Sequence, residues 1–217
     1  MGEARGTGAL LVACALGIER LALRGGDRSG AAGPVTVLRT GMGPLAAERA
    51  VLGAFRDGRV PPDAAVVATG FCAGLASGMH PGDIVVADMT RDAAGRTLCT
   101  GTTALSKAIA GIAPRGRAGA VHIGTVVGSG HVIRGSERAQ LRSAGAVAVD
   151  MESAATLRTA VRAGARPVAA VRVVVDAPEH ELVRIGTLRG GISAFHVLRE
   201  VLPAFFEWHR SLLLPRR

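Results

Sequence analysis

The chain has no tyrosine, a single tryptophan (Trp208) and five phenylalanines in 217 residues. So few aromatics exclude an aromatic-rich binding module, and they exclude a base-stacking platform for single-stranded nucleic acid. Lysine is almost missing too: of the 26 basic residues only Lys107 is not an arginine. The formal charge of +9 is spread along the chain, and its densest basic stretch, Arg115-Gly-Arg117, has no aromatic beside it. That pattern argues against a nucleic-acid partner and leaves an anionic membrane surface as the contact the charge would favour. The three cysteines, Cys14, Cys72 and Cys99, are odd in number and share no metal-ligand spacing, which suits a reducing cytosol. None of the six histidines pairs with another at ligand spacing, and His180-Glu181 lacks the second histidine of a zinc protease. No metal and no cofactor are expected. Long apolar runs are absent as well, none approaching the ~18 residues of a membrane span. Leu11-Val-Ala-Cys14 has the look of a lipoprotein cleavage site but lacks the apolar stretch of roughly 7–15 residues that must precede one. A cytoplasmic protein is expected.

What is present is small and aliphatic. Apolar residues make up 48% of the chain and glycine contributes 30 positions, enough for a sizeable core and too apolar for disorder. The length suits one domain, 1–217, with 1–7 as a loose terminus and no repeat or linker. Strands are predicted at Leu10 to Ala15, Val35 to Arg39, Ala64 to Ala68, Ile84 to Ala87, Val121 to Val127, Ala146 to Val149 and Val168 to Val175. Helices are predicted from Pro44, suited to a first helical position, to about Arg56, and around Leu105 to Ile109, Ser136 to Ser143 and Met151 to Ala163. Residues 91–118 are otherwise ambiguous, and 188–214 form a long amphipathic stretch. Strands alternating with helices imply an α/β fold with a largely parallel sheet covered on both faces.

In such sheets ligands bind beyond the carboxyl ends of the strands, so the residues that follow each apolar run define the site. Those residues are Glu19, Gly41-Met-Gly43, Gly70-Phe-Cys-Ala-Gly74, Asp150-Met-Glu152 and Asp176. Glycines let backbone approach a ligand, and carboxylates offer proton transfer and hydroxyl recognition. Each acid also has a plain reading. Glu152 opens a helix, Asp150 suits its N-cap, Asp176 suits a turn before Pro178, and Glu19 sits beside Arg20 as a solvated loop residue would. Asp176 resists its plain reading most, because an acid ending so apolar a strand is expected to be desolvated, which raises a carboxyl's pKa toward the range of a general acid. Gly41-Met-Gly43-Pro-Leu-Ala46 fits a loose dinucleotide fingerprint, but the acid that should follow the next strand is replaced by Thr69-Gly70.

Three of these segments, in this order, resemble the signatures of the nucleoside phosphorylase superfamily: Thr69-Gly-Phe-Cys-Ala-Gly-Leu75 with Pro81-Gly-Asp-Ile-Val-Val86, then Val149-Asp-Met-Glu-Ser-Ala-Ala155, then Val171-Arg-Val-Val-Val-Asp176. The resemblance implies a three-layer phosphorylase-type fold with a mixed, partly barrel-like sheet flanked by helices, in a homodimer or higher homo-oligomer. It implies roles as well. Glu152 would hold the ribose hydroxyls with Met151 packed on the sugar, Asp176 would protonate the departing purine at N7, and Glu19 would activate water as in methylthioadenosine/adenosylhomocysteine nucleosidases. Gly70, Phe71 and Cys72 would lie against the substrate. Phosphorylases of this superfamily carry a Gly-Asp-Pro-x-Arg loop and a second arginine before the central glycine motif; the matching places here hold Ile18 and Ala68. The resemblance therefore favours water over phosphate. Two departures stand out: Val175 where the family often has serine, and Val132 and Ile133 where nucleosidases stack the base on phenylalanine.

The finer likeness of Thr40-Gly-Met-Gly-Pro44 and Gly145-Ala-Val-Ala-Val-Asp-Met-Glu-Ser153 is to nucleosidases associated with hopanoid biosynthesis, which implies adenosylhopane as a lipophilic substrate. The alternatives are an ordinary salvage nucleosidase, a phosphorolytic enzyme, or a nucleoside-binding protein that has lost turnover. The C-terminal stretch bears on that choice. Phe205-Phe206-Glu-Trp208 and Leu212-Leu-Leu-Pro-Arg-Arg217 would give an apolar rim for an amphiphile, or else simply cover the sheet.

Overall fold

A computed structural model describes residues 8–112, 119–176 and 186–213, with the side chains of 186–192 outside the description. The expected loose terminus, Arg115-Gly-Arg117, the turn before Pro178 and the final Pro-Arg-Arg lie outside the described residues. The elements run β1 (Leu10–Cys14), α1 (Gly17–Arg24), β2 (Val35–Arg39), α2 (Pro44–Arg56), β3 (Ala65–Gly74), β4 (Ile84–Asp92) and β5 (Gly95–Leu98). They continue through α3 (Thr102–Ile112), β6 (Val121–Gly128), α4 (Ser136–Ser143), β7 (Ala146–Asp150), α5 (Ser153–Arg162), β8 (Val168–Asp176), α6 (Gly186–Glu200) and α7 (Leu202–Leu213).

The sheet is mixed rather than largely parallel. Five strands close a ring: β3 pairs with β8 in parallel, β8 with β4 antiparallel, β4 with β6 and β6 with β7 in parallel, and β7 returns antiparallel to β3. Outside this barrel, β1 extends β3 and β2 extends β1, both in parallel, while β5 folds back on β4 as a hairpin. Because β3 is ten residues long, it serves both systems. Val66 to Ala68 pair with β1 and β8, and Ala73 and Gly74 reach β7. The segment expected to be a glycine-rich turn after a short strand is thus the second half of that strand. Period-two alternation then divides the core. Leu10, Val12 and Cys14 of β1 face one apolar layer with α1, α3, α6 and α7, and Leu11 faces the other with α2 and α5.

Two helices depart from expectation. The segment after β1 forms α1, an eight-residue helix that places Glu19 in its first turn rather than in a solvated loop. The C-terminal stretch is two helices, because Pro203 cannot continue α6 and instead opens α7. Of the two readings of the aromatic end, an apolar rim or a cover of the sheet, the structure shows the cover. Phe205, Phe206 and Trp208 are at most 1% exposed, so α7 is a cover of the sheet. The Trp208 indole N–H donates to the Thr100 carbonyl at 2.7 Å, fastening α7 to the loop before α3.

Emptying that position leaves a large cavity and an unmet carbonyl. Trp208→Ala is expected to lower stability by about 3–5 kcal/mol, read by urea unfolding followed by circular dichroism. An unchanged midpoint would contradict the packing described here.

Candidate active site

The carboxyl ends of β1, β3, β7 and β8 meet at one cavity of about 320 Å³. Of the side chains expected at the site, Glu19, Phe71, Cys72, Val132, Ile133, Met151, Glu152 and Asp176 all line it. Gly70 does not. Its φ is +134°, and a Cβ there would lie 2.4 Å from Glu19 Oε1 and 2.9 Å from Arg172 Nη1. Glycine is required at this point so that Glu19 can lie against β3, not so that a ligand can approach.

Glu19 is 2% exposed, yet its carboxylate is well supplied with donors. The N–H groups of Ala15 and Leu16 donate to Oε2, and that of Phe71 to Oε1, each at 2.8 Å. A carboxylate offers about four acceptor positions, so three backbone donors orient the group and leave capacity for one more. Glu152 comes from the start of α5 and reaches the turn before α2, where the Gly43 N–H donates to its Oε1 at 2.8 Å. Among the described residues the protein engages only this oxygen. Burial raises the Glu152 carboxyl above its ordinary pKa, an effect only partly offset by Arg172 and the Gly43 N–H.

Behind these acids lies a charged residue in the middle of an otherwise apolar strand. Arg172 is 1% exposed in the middle of β8. Its Nε lies 2.6 Å from Asp150 Oδ2 and donates to Ser153 Oγ at 2.8 Å, and its Nη1 donates to the Thr69 carbonyl at 3.1 Å. Burial alone would lower its pKa, but Asp150, Glu152 and Glu19 outweigh that and raise it. Asp150 also accepts the N–H groups of Glu152 and Ser153, so it is a structural acid that happens to border the cavity.

Asp176 is not the solitary desolvated acid expected at the end of β8. Its Oδ2 lies 3.1 Å from Arg138 Nη2 of α4, both side chains being largely buried. Nothing in the local sequence of α4 marks Arg138, and sequence reasoning missed it. The other oxygen, Oδ1, is buried and has no hydrogen-bond partner among the described residues. His131 also lines the cavity, hydrogen-bonded to Glu137 at 3.0 Å. The two thiols nearby stay protonated: burial pushes Cys14 up to about 12, and burial pushes Cys72 up as well.

The remainder of the lining is aliphatic, including Val132, Ile133, Val149 and Val175, and among the described residues it contains no arginine or lysine. Beside the ion-paired Asp150, the arrangement offers three carboxylates of different character and a hydrophobic wall, and among the described residues no arginine or lysine for an anionic co-substrate.

The profile of the Phosphorylase superfamily matches residues 28–187, and the chain belongs to that superfamily. Its fold is similar to that of solved nucleosidases. The S-adenosylhomocysteine nucleosidase of Streptococcus pyogenes, in complex with 5-methylthiotubericidin, superposes with a TM-score of 0.74 at 19% identity, over 94% of this chain and 98% of that one. The 5′-methylthioadenosine/S-adenosylhomocysteine nucleosidase of Neisseria meningitidis, with methylthio-immucillin-A, gives 0.70 at 20% identity over 94% and 99%. The corresponding enzyme of S. pneumoniae, with a transition-state inhibitor, gives 0.70 at 16% over 94% and 99%. At these identities the likeness is one of fold. A sequence search among curated proteins finds no match.

The raised pKa of Glu152 has a consequence for stability. Unfolded, its carboxyl titrates near about 4.3. As pH rises from there through the higher folded value, the unfolded state releases its proton first, so stability falls across that window. Glu152→Gln cannot ionise and is expected to lack this fall, becoming more stable relative to the parent at pH 7 than at about pH 4. Urea titrations across that range would show it. Parallel profiles for the two proteins would remove burial as the governing influence on Glu152.

Proposed function

We propose that the protein is a nucleosidase that hydrolyses the N-glycosidic bond of a purine nucleoside. The observation that carries this reading is the convergence of Glu19, Glu152 and Asp176 on one cavity, with Asp176 Oδ1 unpartnered among the described residues. Protonated at Oδ1, Asp176 donates to purine N7 as the C1′–N9 bond breaks, so the base leaves neutral. The sugar becomes oxocarbenium-like, and a water held at the remaining acceptor position of Glu19 attacks C1′, passing its proton to that carboxylate. Glu152 accepts the ribose hydroxyls through the oxygen that the protein leaves open, and Met151 packs on the sugar. Phe71, Cys72, Val132 and Ile133 enclose the substrate with neutral surface. A nucleoside-binding protein without turnover would have no need of three acids so differently held.

Water is favoured over phosphate because no guanidinium or ammonium lines the cavity among the described residues, and the buried Arg172 is already engaged by Asp150, Ser153 and Thr69. Two outcomes are expected together. The product is the free sugar, formed at a rate independent of added phosphate, and Asp176→Asn lowers turnover by about 10²–10⁴-fold without unfolding the protein. A ribose 1-phosphate product, or full activity in Asp176→Asn, would overturn the mechanism.

For the 5′ group we propose a large apolar substituent, with adenosylhopane as the candidate. The buried α7 gives this no support. What supports it is the aliphatic lining together with Met42, Leu45 and Val132, which are 67%, 71% and 65% exposed, two of them at the cavity itself. The same exposed apolar residues suit a second copy of the chain, so a homodimer or higher homo-oligomer in the cytoplasm is part of the reading. No described helix is long and apolar enough to cross a membrane. The fold likeness to methylthioadenosine/S-adenosylhomocysteine nucleosidases supports the other substrate class. Catalytic efficiency on adenosylhopane is expected to exceed that on methylthioadenosine and adenosylhomocysteine under matched detergent conditions. A preference of about tenfold or more for methylthioadenosine, about 1.4 kcal/mol in the transition state, would make this a salvage enzyme.

A further inference from the structure

Five arginines from three parts of the chain gather along β2. Arg20 and Arg24, one turn apart on α1, join Arg28, Arg39 at the end of β2, and Arg59 before β3 in lining a groove of about 540 Å³. Strand β2 pairs only with β1, so the groove follows an unpaired sheet edge. It shares no lining residue with the cavity that holds the three carboxylates. No acid lines it among the described residues. Arg59 meets Asp57 at 3.2 Å, but those side chains are 56% and 61% exposed, so the pair neutralises little. Arg20, Arg24, Arg28 and Arg39 have no carboxylate partner among the described residues. The Arg20 Nε is buried without a hydrogen-bond partner there.

We propose that this groove binds a soluble oligophosphate, an anion of the pyrophosphate or triphosphate class. Like charges gathered within one concavity repel one another, and salt screens them only beyond about 8 Å. A multiply charged anion removes that repulsion and meets guanidinium forks whose geometry suits phosphate oxygens in pairs. The concave wall concentrates the positive potential at one place. No aromatic side chain lines the groove, so a nucleobase finds no stacking partner and the phosphate groups themselves are what is recognised. A recess beside a sheet edge encloses a small anion, whereas a bilayer would require these charges on an outward face. The scatter of arginines along the sequence, which argued against a polyanion, is undone by the fold at these five positions.

The test is calorimetric titration of the full-length protein with inorganic triphosphate in about 50 mM salt. One site per chain is expected, with affinity lowered at least about tenfold in Arg20→Gln/Arg24→Gln. Arg142→Gln, which removes one exposed charge from α4, is expected to bind as the parent does, as is Asp176→Asn. Retained binding in Asp176→Asn keeps this site independent of the fate of the nucleosidase reading. Absence of binding, or an equal loss in Arg142→Gln, would overturn the proposal. So would binding to phosphatidylglycerol vesicles, but not phosphatidylcholine ones, without binding of free triphosphate, which would give the arginines to a membrane surface.

Discussion

The guanidinium of Arg172 is closed off from water in the middle of a barrel strand, and most of what surrounds the cavity is arranged to keep it charged. Removing an ion from water costs several kcal/mol even after the protein relaxes, about as much as the whole net stability of many domains. Asp150 answers that cost with a direct ion pair, and Ser153 and the Thr69 carbonyl occupy further N–H groups. These partners come from β7, α5 and β3, so one side chain on β8 ties four elements at the sheet's carboxyl edge. The positive charge also acts further out, opposing the burial that lifts the Glu152 carboxyl. A neutral residue here would leave Asp150 as an uncompensated buried charge.

Four acids at one edge are separated into different roles by their donors rather than by residue type. Asp150 accepts from Arg172 and from two N–H groups at the start of α5, which makes it a joint between strand and helix. Glu19 is held by three N–H groups and, among the described residues, forms no ion pair at contact distance, so it is fixed in direction with capacity to spare. Glu152 is held by one oxygen only. Asp176 has one oxygen against Arg138 and the other bare. In the proposed reaction Asp176 gains and loses a proton, and a bare oxygen leaves room for that, whereas donors on both oxygens would not.

Much of this was readable from residues alone, and the exceptions share a cause. Strands β1, β2 and β8 and helix α2 announce themselves through apolar runs and through Pro44, signals that lie within a few positions of one another. The short α1 has no capping residue at Leu16, and its N-terminus is met instead by the Glu19 side chain, so Glu19 reads as a loop acid until the turn is built. Thr69-Gly-Phe-Cys-Ala-Gly74 reads as a turn because glycine is common in turns. It is a strand because Gly70 makes room for Glu19, a residue fifty positions away in the chain. Arg138 and Arg172 escape for the same reason. Their partners, Asp176 and Asp150, lie on other elements, and local composition carries no trace of a long-range ion pair.

The placement of arginine links the chemistry at the cavity to the surface of the protein. A chain so rich in guanidinium might be expected to present one wherever an anion would be useful. Yet the two that, among the described residues, pair with acids of the cavity are already engaged, Arg172 by Asp150 and Arg138 by Asp176. Among the described residues a phosphate ion entering the cavity would find acids and a hydrophobic wall, and ionised Glu19 would oppose its approach in a medium that screens poorly. Water carries no charge and meets no such barrier. Arg20, Arg24, Arg28 and Arg39, without carboxylate partners among the described residues, line a separate groove along β2, where their repulsion is relieved by solvent or by an anion. Helix α1 separates the two environments. Glu19 is turned inward to the backbone of β3, and Arg20 next to it is turned outward to the groove.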